Sequence, residues 1–198
     1  MQSSKTMRTL IILSALLAAP FGAAAQETFA VANAPRVRVV TTVGEFVIEL
    51  DRVRAPLTVE AFLRHVTSGF YAGTIFHRVV PGFLAQSGGY TVDLALKPTE
   101  GSVVNESGNG LSNLRGSVGL ARTNEPHSGT TQFYINLADN LDLNPRPTRW
   151  GYAVFGKVVE GMEVVDEIGH VPTGAGGEFD RNVPVEPIVI ERVVLIGP

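Results

Sequence analysis

At 198 residues the chain is long enough to bury a sizeable core as one domain. It contains no cysteine, which excludes thiol catalysis and cysteine-held metals. A net charge of −3 lacks the basic excess that nucleic-acid and anionic-membrane binders carry.

Residues 1–25 read as a cleaved signal peptide. Lys5 and Arg8 supply a positive start, 10–19 is an apolar run broken by Pro20 and Gly22, and Ala23-Ala24-Ala25 offers a small-x-small cleavage site. The run is shorter than the roughly 20 residues a membrane-spanning helix needs. A lipid anchor on the processed end would need a cysteine. Cleavage would leave 173 of the 198 residues and, with Lys5 and Arg8 gone, would take the net charge from −3 to −5. The chain is therefore expected to be exported, with no membrane attachment once the signal is removed. Residues 26–35, Ala-rich and without an amphipathic period, read as a mobile N-terminal segment ahead of a domain at 36–198.

Two β-rich runs, 37–41 and 45–50, flank Gly44 and predict a hairpin. Pro56 and Thr58 open a helix whose Val59, Phe62, Leu63 and Val66 form one apolar stripe, and Gly69 stops it. Short strands are predicted at 75–80, 84–87, 116–121, 132–136 and 153–159. A second helix begins near Gly161 with Val164, Val165 and Ile168 on its buried side, and a last strand follows Pro187 over 188–196. Many short strands with two isolated helices lack the βαβ rhythm of a parallel sheet. They predict a mainly β domain, a closed antiparallel β-barrel capped by two α-helices. The long Gly/Asn/Ser/Pro-containing stretches 88–115 and 138–151 are expected to be functional loops. There is no internal repeat.

The chemistry concentrates in Phe76-His77-Arg78-Val79-Val80-Pro81-Gly82-Phe83-Leu84-Ala85-Gln86-Ser87-Gly88-Gly89-Tyr90. One permanent cation, Arg78, sits between apolar strand-like runs, followed by Phe83, Leu84 and the neutral amide of Gln86. Such a set can grip an apolar group and place a hydrogen-bond donor on it; a lone arginine in a surface ion pair is the plainer alternative. On a strand His77 points away from Arg78 and reads as a structural or neighbouring residue. Ser87 lacks the Gly-x-Ser-x-Gly elbow of a hydrolase, and His65, His127 and His170 show no metal-ligand spacing. Asn105-Glu106-Ser107 formally matches a glycosylation acceptor, a triplet that arises often by chance.

This segment resembles the signature of the cyclophilin-type peptidyl-prolyl cis-trans isomerases, Phe-His-Arg-aliphatic-aliphatic-Pro-x-Phe-apolar-x-Gln-small-Gly. The resemblance runs from about Pro35 to the C-terminus. It includes Ser68-Gly69-Phe70-Tyr71, Gly116 to Arg122 with Leu120 where the family has Met, Thr131-Gln132-Phe133-Tyr134-Ile135-Asn136, and Tyr152-Ala153-Val154-Phe155-Gly156-Lys157-Val158. Arg122 and Tyr152 look most like bacterial exported members, which implies a periplasmic or secreted protein. The resemblance implies the capped barrel as well. It also implies a monomer that needs no cofactor or metal and acts on proline-containing peptides and unfolded exported proteins, by non-covalent stabilisation of a twisted amide.

Carried over residue by residue, it makes Arg78 catalytic. Phe83, Leu84, Tyr134 and Leu143 line a proline slot, with Phe133 left in the core because neighbouring strand residues face opposite ways. Gln86 and Gln132 bond the substrate backbone, and Ala121, Arg122, Tyr152 and, as a neighbour of Arg78, His77 complete the site. The alternative reading of the slot is core packing, and of the two glutamines, anchorage of the 88–115 loop. Two rival functions follow: a proline-peptide-binding chaperone module with little turnover, and an exported hydrolase. Three departures stand out. Tyr134 replaces an aromatic without a hydroxyl, Asp142 stands where eukaryotic members carry a rim tryptophan, and Tyr152 stands where they carry histidine. Trp150, eight positions beyond Asp142, is not read as the replacement.

Overall fold

The computed structural model describes residues 34–99 and 101–197. The predicted signal peptide and residues 26–33 of the predicted mobile segment lie outside them. Eleven strands and two helices follow in chain order: β1 (Arg36–Thr41), β2 (Gly44–Leu50), α1 (Pro56–Thr67), β3 (Thr74–Ile75), β4 (Arg78–Val80), β5 (Leu84–Ser87), β6 (Ser117–Leu120), β7 (Phe133–Asn136), β8 (Val154–Glu160), α2 (Met162–His170), β9 (Thr173–Gly176), β10 (Phe179–Pro184) and β11 (Val189–Ile196). Nine of the strands form one antiparallel sheet in the order β3-β11-β1-β2-β8-β6-β7-β5-β4, and β9 and β10 make a separate hairpin.

The alternation of β1 is regular. Val37, Val39 and Thr41 point inward while Arg36, Arg38 and Val40 point outward, and the strand pairs with β2 through Val39↔Phe46 and with β11 through Val39↔Val193. The sheet curls but does not close through a ladder, which corrects the expectation of a closed barrel. Its two edge strands, β3 and β4, are separated in sequence by only Phe76 and His77, too few residues to turn back and pair. The seam is bridged instead by the Ser87 hydroxyl, which donates to the Ile75 carbonyl at 2.9 Å, and by Ile75 N–H donating to the Tyr90 carbonyl at 2.9 Å. The single strand expected at 75–80 is thus two short ones, and the β9–β10 hairpin was not foreseen. Its sequence is Gly-rich and charged, without the apolar alternation by which strands are recognised.

Helix α1 begins with Pro at its first turn, where a missing N–H costs nothing, and its N-cap Ala55 has no capping side chain. The cap comes from the 88–115 loop. Glu106 accepts from Leu57 N at 3.1 Å, Thr58 N at 2.8 Å and Thr58 Oγ1 at 2.7 Å, placing a carboxylate at the positive end of the helix. At the other end Gly69, with φ of 70°, lets Gly69 N–H reach Val66 O and Phe70 N–H reach His65 O, closing a Schellman turn. The helix packs against β11, and α2 packs against β2, β4 and β5. Val59, Phe62, Val66, Val165 and Ile168 from the two helices enter one core with Phe46, Ile48, Phe133 and Phe155. At its centre Phe62 meets Tyr71, Phe133 and Phe155 with ring centroids 5.1, 5.6 and 5.2 Å away, aromatic pairs worth about 0.5–1.5 kcal/mol each beyond buried area.

Candidate active site

Strands β4, β5 and β7 lie side by side and set the site. The register pairs Arg78 with Gln86 and Gln86 with Tyr134, so these three side chains project from neighbouring positions on one face. Phe133 and Tyr134 then separate as alternation requires, the first into the core and the second into the groove. The groove holds a cavity of about 280 Å³ lined by Arg78, Phe83, Leu84, Gln86, Ala121, Arg122, Tyr134, Leu143 and Tyr152. A smaller adjoining cavity of about 170 Å³ shares Gln86, Ala121 and Arg122 and adds Gln132. Ten of the residues singled out in the sequence therefore converge here. His77 does not. Its ring is 2 % exposed and lies on the other side of β4, with centroids 4.6 Å from Tyr90 and 5.8 Å from Phe179. Burial pushes its pKa down to about 4, against the smaller upward pull of hydrogen bonding, so it is neutral near pH 7.

Arg78 is half-buried, and that burial holds its pKa below the ordinary arginine value. Arginine starts so far above neutrality that the cation persists. Among the described residues no carboxylate lies within ion-pair distance of it, unlike Arg36, Arg52 or Arg115. Its aim is fixed by an amide relay: Nη1 donates to Gln86 Oε1 at 3.3 Å, and Gln86 Nε2 donates to Gln132 Oε1 at 2.9 Å. Gln132 in turn lies over Gly89, where an added Cβ would sit 2.6 Å from its Cγ. Both glutamines thus do internal work that the sequence alone had left open.

Arg122 plays a different part from Arg78. Its guanidinium donates to Gly151 O at 3.1 Å, Trp150 O at 2.9 Å and Thr123 O at 2.8 Å, and stands 4.4 Å over the Tyr152 ring. It clips the 138–151 loop to the groove. The N–H of Ala121 is taken by Gln132 O at 2.9 Å, while among the described residues the backbone N–H and C=O of Arg122 carry no internal hydrogen bond. An extended peptide could pair with these. The Tyr134 hydroxyl, which burial requires to find a partner, donates to Asn113 Oδ1 at 2.6 Å.

Asp142 lies on a single 3-10 turn, Leu141–Leu143, whose Leu143 faces the groove; its carboxylate pairs with Arg146 and its carbonyl accepts from Arg149. Trp150 does not line the groove and meets His127 at a centroid distance of 5.2 Å. Asn105 is buried, and its amide donates to Pro126 O and Gly151 O at 3.0 Å each, so the glycosylation triplet serves the fold. A roomier depression of about 670 Å³ lies elsewhere, along Leu50, Val53, Leu111 and Leu114. Its charged groups are already paired, Glu49 with Arg36 and Lys157 and Arg115 with Asp166, and it offers no free donor converging on an apolar slot.

Sequence reasoning missed the polar supports. Asn113, Asn136, Asn140 and Asn144 tie the loops to the groove walls. Their crowding in 113–144 is visible in the chain, but their pairing is not.

A curled antiparallel sheet thus carries an apolar slot, with the half-buried Arg78 guanidinium at its edge and the backbone N–H and C=O of Arg122 beside it. The family model for cyclophilin type peptidyl-prolyl cis-trans isomerases matches residues 36–195. The chain belongs to that family, and it is a peptidyl-prolyl cis-trans isomerase. It is 46% identical over 185 residues to peptidyl-prolyl cis-trans isomerase A of Dickeya dadantii, covering 93% of this chain and 97% of the relative. It is 50% identical over 160 residues to isomerase cyp18 of Streptomyces antibioticus, covering 79% and 96%. Among solved structures it is similar to a Cryptosporidium parvum cyclophilin-type isomerase crystallised in the presence of the dipeptide Ala-Pro, at 25% identity and TM-score 0.67, covering 82% of this chain and 99% of that one.

Proposed function

We propose that the protein accelerates X-Pro isomerisation in exported proteins, with Arg78 as the catalytic group. The observation that carries the reading is a half-buried guanidinium without a carboxylate partner, held by Gln86 at the edge of an apolar slot. A prolyl amide resists rotation by about 18–20 kcal/mol because resonance flattens it. At the half-turned geometry that resonance is lost and the proline nitrogen regains a lone pair. An N–H of Arg78 donates to that nitrogen, which accepts poorly in the planar ground state. The interaction therefore favours the transition state over the substrate. The ring rests on Phe83, Leu84, Tyr134 and Leu143, while the flanking chain pairs with Gln86, Gln132 and the backbone at Ala121 and Arg122. No bond is made or broken and no proton changes owner, so neither metal nor cofactor enters. The Ala-Pro dipeptide present with the Cryptosporidium relative supports a proline-containing ligand for the same fold.

Arg78→Ala is expected to lower kcat/KM by on the order of 10²–10³, as removal of one preorganised donor does, while peptide affinity changes far less. A protease-coupled or NMR-exchange assay on an X-Pro peptide measures both. A folded variant with near wild-type turnover would remove Arg78 from the mechanism. The exported setting rests on the signal-like pattern of residues 1–25. N-terminal sequencing of protein from the extracytoplasmic compartment should find Gln26 at or near the start; an intact Met1 there would contradict it.

A further inference from the structure

The hydroxyl on the groove floor belongs to a connected set of buried amides. Tyr134 lies across Gly119 so closely that an added Cβ there would sit 2.2 Å from its Cζ and 2.3 Å from its Oη. Only a glycine leaves the phenol this position. From there Oη donates to Asn113 Oδ1 at 2.6 Å, and burial, the main influence on the phenol, keeps it protonated and a donor. The same Oδ1 accepts from Asn136 Nδ2 at 3.2 Å. The other end of the Asn113 amide, Nδ2, donates to Asn144 Oδ1 at 3.0 Å and reaches Tyr152 O at 3.5 Å, and Asn113 N–H donates to the same Asn144 oxygen at 2.8 Å.

These partners are the backs of the slot's walls. Asn144 directly follows Leu143, whose carbonyl accepts from Tyr152 N–H at 2.9 Å. Asn136 accepts from Asn140 Nδ2 at 2.7 Å, and the same Asn140 nitrogen donates to Phe83 O at 2.8 Å. Asn113 is fully buried and touches neither cavity, yet floor and far wall are both bonded to it. A shift of Leu143 away from Tyr134 strains these bonds, and the fully buried Asn113 that joins them has no solvent at hand to take their place, which makes the spacing stiff.

We infer that Asn113 is a positioning residue for the isomerase reaction: it bolts the Tyr134 floor to the Leu143 wall and so sets the width of the proline slot. The inference rests on this groove being the proline site. It assigns the Tyr134 hydroxyl a purpose, since without it the floor ring would be held by packing alone.

The test uses two side chains that share no hydrogen bond but meet through Asn113. Asn144→Ala removes the wall anchor on a partly exposed loop and should fold even if Asn113→Ala does not. Tyr134→Phe removes the floor bond, leaving Asn113 Oδ1 its bond from Asn136. With an Ala-Pro-containing tetrapeptide, each single variant should raise KM and the peptide dissociation constant about 3- to 10-fold, with kcat changed less than about twofold because Arg78 and Gln86 stay in place. The double variant should lose at least about threefold less than the product of the two singles, the mark of coupled sites. Effects that multiply independently, or a lowered melting temperature with KM unchanged, would reduce Asn113 to a structural residue and overturn the inference. A wild-type chain that fails to accelerate exchange of the same peptide would sink the groove assignment and this inference together. Normal wild-type turnover with unchanged KM in both variants would sink this inference alone.

Discussion

Arg78, the first residue of β4, and His77, just before it, are neighbours with opposite fates. Arg78 keeps a polar edge in the groove and His77 is sealed among Tyr90 and Phe179. Two pH expectations follow. Neither group titrates between pH 6 and 8, so kcat/KM should be flat there. A bell-shaped profile in that range would assign an acid or base to a site that is proposed to use none. Stability behaves differently. The folded-state pKa of His77 is depressed from 6.5 to about 4, so between those values the unfolded chain binds a proton that the folded chain refuses. Its contribution is complete above about pH 6.5 and is lost as pH falls toward 4, by on the order of 3 kcal/mol if the full shift is realised. His65, also depressed chiefly by burial, adds in the same direction, and Glu49, lowered chiefly by its Arg36 bond, loses stability only further down. The difference between wild type and His77→Phe isolates the one group. The wild type should lose melting temperature faster than the variant from pH 6.5 to 4, and parallel curves would show that His77 protonates freely in the fold.

At the scale of elements, the 3-10 turn Leu141–Leu143 decides what sits on the groove rim. Family members receive cyclosporin, an apolar cyclic peptide, and the eukaryotic ones cover part of it with an indole that donates a hydrogen bond. Here the rim position is Asp142, with a side chain 91 % exposed and a carboxylate engaged with Arg146. Trp150 is turned toward His127 and supplies no substitute. Losing one neutral hydrogen bond and an aromatic contact costs about 1–3 kcal/mol, or roughly 5- to 150-fold in affinity. The protein should therefore turn over short proline peptides yet bind cyclosporin weakly, and Asp142→Trp should tighten the complex. Calorimetric titration of both forms measures this; tight binding by the wild type would mean that another group reaches the ligand.

Across the whole molecule, what was legible in the chain and what was not follow one division. Strands β1, β2, β8 and β11 are runs rich in β-branched and apolar residues, both helices carry an apolar stripe, and each of these elements begins within a residue or two of where the chain predicts it. The groove residues came from the family resemblance, and the register row of Arg78, Gln86 and Tyr134 puts three of them on one face of the sheet. The open seam at Phe76-His77, the β9–β10 hairpin, the Glu106 cap on α1 and the asparagine set behind the groove were not legible. Each depends on polar partners up to 57 residues away in the chain, or on no apolar pattern at all, and hydrogen bonds of that kind leave no period in a sequence. The same long-range bonds bear on how the molecule unfolds. Trp150, the single tryptophan, lies on the 138–151 loop, remote from any strand's own ladder. A loop of that length would ordinarily open before the sheet does. This one is clipped by Arg122 to Trp150 O and Gly151 O, by Asn105 to Gly151 O, and by Asn113 to Asn144. Its release therefore requires loss of bonds rooted at Arg122, just after β6, and in the 88–115 loop, which also caps α1. Thermal unfolding followed by Trp150 fluorescence should coincide with far-ultraviolet circular dichroism to within about 2 °C, as one cooperative transition. In Arg122→Ala, which removes the clip while sparing the sheet, the fluorescence transition should move to lower temperature ahead of the dichroism. An early fluorescence transition in the wild type would mean that the loop is an independent unit and that the groove wall it carries is not rigid.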